Sequence, residues 1–203
     1  MSFFDNPKNF GLAAIVIGAV SLLAGIIGIV NGALADPLAT GSVVAAVGTL
    51  LYGALILGVR LPLYRGEESD KLTILGMFVR FVGLATIVVG VFSGAGQIID
   101  EAAAAGAGSI VIAVVLGLIL LWIAGRITDG SVDTMDRIVW IILLVVFAIL
   151  TIVSLVGIIM PFLGDLAILD AVIAAVLSLC QFILYGFLLI SVLSDDVKSA
   201  MGM

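Results

Sequence analysis

Six runs of 16–28 predominantly apolar residues, separated by short polar or glycine-rich segments, dominate this chain. A helix of about 20 apolar residues crosses a hydrocarbon core of roughly 30 Å. Lipid offers no partner for backbone N–H and C=O groups, so such runs must close their hydrogen bonds internally, as helices. The runs are read as Gly11–Gly32, Gly41–Val59, Lys71–Gly94, Ser109–Ala124, Ile138–Ile159 and Leu166–Leu193. The fold class that follows is all-α: a polytopic membrane protein of six transmembrane helices, with residues 1–203 forming one transmembrane domain. Composition agrees. The chain is 64% hydrophobic and 11% charged, where soluble domains carry about 25% charged residues. Ala33-Leu34-Ala35 has the small residues of a signal-peptide cleavage site, but the run before it is long and lacks a charged lead-in, so the first span is expected to stay.

The segments between spans are expected to be a short interfacial lead-in at 1–10, a loop at 60–71 opened by Pro62, a small-residue loop or surface helix at 95–108, a loop at 125–137 and a tight turn around Pro161 and Gly164-Asp165. Taken alternately, one set of loops and both tails hold Lys8, Arg60, Arg65, Lys71, Arg126, Arg137 and Lys198, whereas the other set holds no Lys or Arg. The positive-inside rule then puts both termini in the cytoplasm of a multi-pass plasma-membrane protein. Tyr64, Trp122, Trp140 and Tyr185 fall toward the same basic side.

Acidic residues suggest a period. Asp5, Asp70 and Asp136 are 65 and 66 residues apart, and Asp36, Asp100 and Asp165 are 64 and 65 apart. Three helical-hairpin repeats at about 5–66, 70–130 and 136–196 follow. Each holds two spans, so all three share one orientation, and a pseudo-threefold axis along the membrane normal is the natural arrangement. Gly11, Gly18 and Gly25 correspond to Gly76, Gly83 and Gly90.

Arg80 is the one basic residue within a span. It lies about nine residues from Lys71, on the order of 14 Å along the axis, near the bilayer middle, where a charge is costly and normally faces protein or water. It shares a 4,3,4,3,4 stripe with Gly76, Gly83, Ile87, Gly90 and Gly94, and small residues let helices approach closely in lipid. An inward-facing guanidinium is therefore expected, with Gln181 as hydrogen-bond partner and Asp170 or a bound anion as charge partner. Arg80, Gln181 and Asp170 form the candidate binding set. Snorkelling to the cytoplasmic headgroups is the alternative. A second stripe, Gly11, Ala14, Gly18, Ser21, Gly25, Gly28 and Gly32, is a packing seam for another helix, a second copy or another subunit.

Chemistry is otherwise sparse. There is no histidine and only one cysteine, Cys180, which removes most zinc sites, internal disulfides and the commonest general base. No phosphate loop or nucleophile elbow is present. Asp129, Asp133 and Asp136 read as loop punctuation and helix starts rather than a metal site. No catalytic residue, cofactor or metal is expected, and no basic patch suggests nucleic acid.

The segments GIVNGALADPLATGSVVAAVGTLLYGALILG and GIIMPFLGDLAILDAVIAAVLSLCQFILYGF are similar to the short hydrophobic repeat of the HdeD-like membrane proteins. That resemblance implies a small six-span protein of the kind associated with acid resistance in bacteria, and it carries over no functional residue. The expected function is that of a non-catalytic structural or accessory protein in the lipid bilayer, alone, as a homo-oligomer or in a larger complex. The alternative is a small transporter or channel in which Arg80 contacts an anionic ligand or lipid.

Overall fold

A computed structural model of the chain describes residues 6–35, 37–65, 70–128, 132–163 and 168–203, with only the backbone described at 59–65, 169, 170 and 173. The described residues form α1 (Pro7–Leu34), α2 (Thr40–Arg65), α3 (Lys71–Ile99), α4 (Ala103–Thr128), α5 (Thr134–Ile159), a 3₁₀ turn Met160–Phe162, α6 (Ile168–Leu193) and a short α7 (Asp195–Ala200). There is no strand among them, and six helices are long and apolar enough to cross a membrane. The chain is an all-α polytopic membrane protein.

Several helices outrun the apolar runs. The segment 95–108, expected as a small-residue loop or surface helix, belongs instead to the two flanking spans: α3 continues to Ile99 and α4 begins at Ala103. Alanine is the best helix former, so a small-residue stretch does not end a helix. What ends it is a Schellman turn. Ala102 N–H bonds to the Gln97 carbonyl at 2.8 Å and Glu101 N–H to Ile98 at 3.2 Å, with Glu101 at φ 66° in the place glycine usually takes. Pro62 also does not stop α2, which runs on to Arg65. A proline so near a helix end removes only a single late backbone bond.

Helix starts follow local capping. Pro7 opens α1 behind Asn6, whose side chain accepts from Lys8 N–H at 3.0 Å; proline suits the first helical position because its missing N–H would be unsatisfied there anyway. Asp70 precedes α3 and accepts from Thr73 N–H at 2.8 Å and from the Thr73 hydroxyl. These bonds, the hydroxyl first, hold the Asp70 carboxyl below its ordinary range. Asp133 caps α5 in a reciprocal box with Asp136. The 66-residue step from Asp70 to Asp136 thus joins a cap to a third-position residue. The capping residues themselves, Asn6, Asp70 and Asp133, stand 64 and 63 apart. Asp5, Asp36 and Asp165 lie outside the described residues.

The chain divides into two units, Gly18–Val59 with Met77–Gly125, and Met1–Ile17 with Arg60–Gly76 and Arg126–Met203. In the first, α1 and α2 run antiparallel through glycine contacts. A Cβ on Gly25 would lie 2.7 Å from the Leu50 backbone, and one on Gly32 2.7 Å from Val43 Cγ2. In the pair α3 and α4, Gly83 meets the Gly117 carbonyl at 3.0 Å from its Cβ position, and Gly90 meets Ala113. α2 packs on α3 through Gly48 and Phe92, through Gly41 and Gly96, and through the Tyr52 and Phe81 rings, 6.0 Å apart. The Asp100 carboxylate lies against Gly41 at the start of α2, where the helix dipole favours an anion. α3 is the most enclosed helix, with 44% of its apolar stretch buried against 17% for α5.

In the second unit α5 and α6 form the third hairpin, with Gly157 against Ser178. Phe10 stacks on Phe187 at 4.8 Å between ring centroids, and both are buried. Trp140, in the second turn of α5, is buried. Its Nε1–H donates to the Val192 carbonyl at 2.9 Å, satisfying one of the acceptors that the end of α6 would otherwise leave open. Val197 and Met201 bury α7 and the C-terminal residues in the same core.

Candidate functional site

Arg80 is exposed, not turned inward, and it makes no hydrogen bond or ion pair among the described residues. The stripe explains the difference. Four residues after Gly76 and three before Gly83, Arg80 is rotated about 40° and 60° from them on a helix of 3.6 residues per turn. Gly83 and Gly90 face α4. Arg80 falls on the flank turned away from that contact, beside exposed Leu84.

α3 has 29 residues, on the order of 44 Å, well beyond the hydrocarbon core. Gln97 and Ser109 bond to each other near the far turn, at 3.3 Å. Arg80 stands nine residues, about 14 Å, from the start of α3 and 17 residues, about 25 Å, from Gln97. The antiparallel register of Gly90 on Ala113 and Gly83 on Leu121 sets Arg80 level with about residue 124, one turn before α4 ends at Thr128.

Gln181 is half-buried on α6, in the other unit, and is bonded to no described residue. Asp170 lies in the first turn of α6, with its side chain outside the description. The three residues of the candidate set are therefore not brought together by any described bond. Of the first seam, Gly18, Gly25 and Gly28 meet Ile56, Leu50 and Ala46 of α2, Ser21 is half-buried and Gly11 is buried. That face is filled by the chain's own hairpin partner. Gly76 meets Thr128, and Gly83 and Gly90 likewise face α4.

The α4–α5 junction holds a charge cluster that was read only as helix starts. Asp133 accepts from Met135 and Asp136 N–H groups and pairs with Arg126 at 2.9 Å. Asp136 Oδ2 accepts from Asp133 N–H at 2.7 Å, while Asp136 itself is fully buried and its Oδ1 has no partner among the described residues. Capping and pairing occupy the Asp133 carboxylate; Asp129 lies outside the described residues. The D-x-x-D spacing ahead of an apolar run was the available signal for this box. Trp140 gave none, because its acceptor is 52 residues away.

Four hydroxyls inside the spans turn back onto their own helices. Thr86 bonds to Val82, Thr151 to Phe147, Ser154 to Leu150 and Ser191 to Phe187, each to the carbonyl four residues earlier. The chain matches no family model, no curated protein and no solved structure. Its sites must be read from their own chemistry.

Proposed function

We propose that this chain is an integral membrane protein of structural or accessory type, HdeD-like in its hydrophobic repeat, that acts through helix packing and without catalysis. The observation that carries the reading is the fate of the polar groups within the spans. Four hydroxyls are spent on their own helical carbonyls, a local bond that leaves little to line a wet path. Arg80, the residue on which an anion transporter would rest, is exposed rather than interior. The near-equal spacing of the caps Asn6, Asp70 and Asp133, 64 and 63 residues, and the matched places of Gly18 with Gly83 and Gly25 with Gly90 against their returning helices, support construction from repeated hairpins.

The decisive test is flux. Proteoliposomes loaded with chloride or lactate are expected to leak no faster than protein-free vesicles. Flux above that baseline, abolished by Arg80→Leu, would replace the accessory reading with the transporter reading.

The orientation proposed is cytoplasmic for both termini in the plasma membrane, supported by the absence of Lys and Arg from one set of loops. In a Cys180→Ala background, single cysteines at 36, 100 and 165 are expected to react with an impermeant maleimide from outside the cell. Protection at all three, with labelling at 67 or 133, reverses the topology.

A further inference from the structure

We propose that Arg80 is a binding site for the phosphate of an anionic phospholipid in the leaflet on the basic-loop side. The proposal requires only that the six helices span a bilayer, and it stands whether or not the accessory reading does.

The argument begins with what Arg80 lacks. A guanidinium carries five donors and keeps its charge at any biological pH. Here it is exposed on α3 and bonded to nothing among the described residues. Left bare in hydrocarbon it would be costly, and the usual relief is to snorkel toward the headgroups. Geometry permits this. Side chains on a helix lean toward its N-terminus, and the N-terminus of α3 is at the basic-loop side, at Lys71. Arg80 stands about 14 Å from that end of α3, level with the last turns of α4; for a helix of this length centred on a core of roughly 30 Å its Cα is about 7 Å inside the boundary, so an extended guanidinium can reach headgroup depth along the flank it shares with Leu84.

Charge selects the occupant. Headgroup phosphates are the anions present at that depth in any phospholipid bilayer, and an anionic lipid such as phosphatidylglycerol lacks the headgroup ammonium that would compete for the phosphate. The planar fork binds two phosphate oxygens at once, which an ammonium cannot do. Two other cations of that side are already paired: Arg126 with Asp133 and Lys198 with Asp195.

The test uses the full chain in nanodiscs of equimolar phosphatidylglycerol and phosphatidylcholine, released gently into native mass spectrometry. The wild type is expected to retain phosphatidylglycerol preferentially, and Arg80→Gln to reduce that preference about tenfold with helicity unchanged. Arg80→Lys should fall between them. Lys8→Gln, which removes one exposed charge from the same side, should change nothing. The proposal is overturned if Arg80→Gln retains lipid like wild type, if Lys8→Gln loses it equally, or if Arg80→Gln changes the oligomeric state while leaving retention intact, which would make a second copy the occupant. Should Arg80→Gln fail to fold, a photoactivatable phosphatidylglycerol headgroup on the wild type decides: cross-links within residues 72–84 support the site, and their absence there ends it.

Discussion

Gly90→Ala is expected to destabilise the α3–α4 hairpin by about 1–3 kcal/mol, the usual cost of overpacking, and Ala113→Gly in the same chain to restore it. A Cβ on Gly90 would overlap the Ala113 methyl, while the next nearest atoms, Ala113 Cα and the Ser109 carbonyl oxygen, stand at 3.4 and 3.9 Å. One methyl alone is in the way. Helix propensity opposes the loss, since alanine is favoured over glycine by up to about 1 kcal/mol, but in the double variant that term cancels because the two residues merely exchange places. Gly25→Ala offers the contrast. Its Cβ would meet the N, Cα and Cβ of Leu50 at 2.7 Å, so the obstacle is backbone and no side-chain deletion on α2 should rescue it. Loss of helical signal during titration with denaturing detergent measures all four proteins. A neutral Gly90→Ala, or a double variant no better than the single, would show that the two helices do not meet at this register.

Trp140→Phe should cost about 1–3 kcal/mol by the same titration. Phenylalanine keeps most of the buried ring but cannot donate to the Val192 carbonyl, and a buried acceptor left unsatisfied carries its full desolvation penalty. The loss should localise. Amide exchange should quicken at the end of α6 and in α7, whose Val197 and Met201 share that core, and change little in the α1–α2 hairpin. The chain has two tryptophans, so the variant's fluorescence reports Trp122 alone. A variant as stable as wild type would mean that this carbonyl has another donor.

The six helices were legible because a bilayer admits few alternatives: a run of about 20 apolar residues must satisfy its backbone within itself. The helix starts at Asn6, Asp70 and Asp133 were equally within reach, since capping is a contact between residues two or three apart. Helix ends were harder. At 95–108 the small residues that signal a loop are also strong helix formers, and Glu101 adopts a left-handed conformation that its side chain does not favour.

What the sequence determined by itself was therefore local: which segments are helical, and that Gly18, Gly25, Gly83 and Gly90 line close contacts; α1, α4 and α5 begin at Pro7, Ala103 and Thr134, four to six residues before the runs at Gly11, Ser109 and Ile138. Only the tertiary structure decided which helix fills each glycine face, that Trp140 is a buried clasp, and that Arg80 is exposed on the flank of α3 turned away from α4. The physical reason is that a stripe fixes a residue's angle on its own helix to no better than about 50°. The partner helix then sets which side of that stripe is covered and how deep each residue lies, and the contacts that set it join residues tens of positions apart.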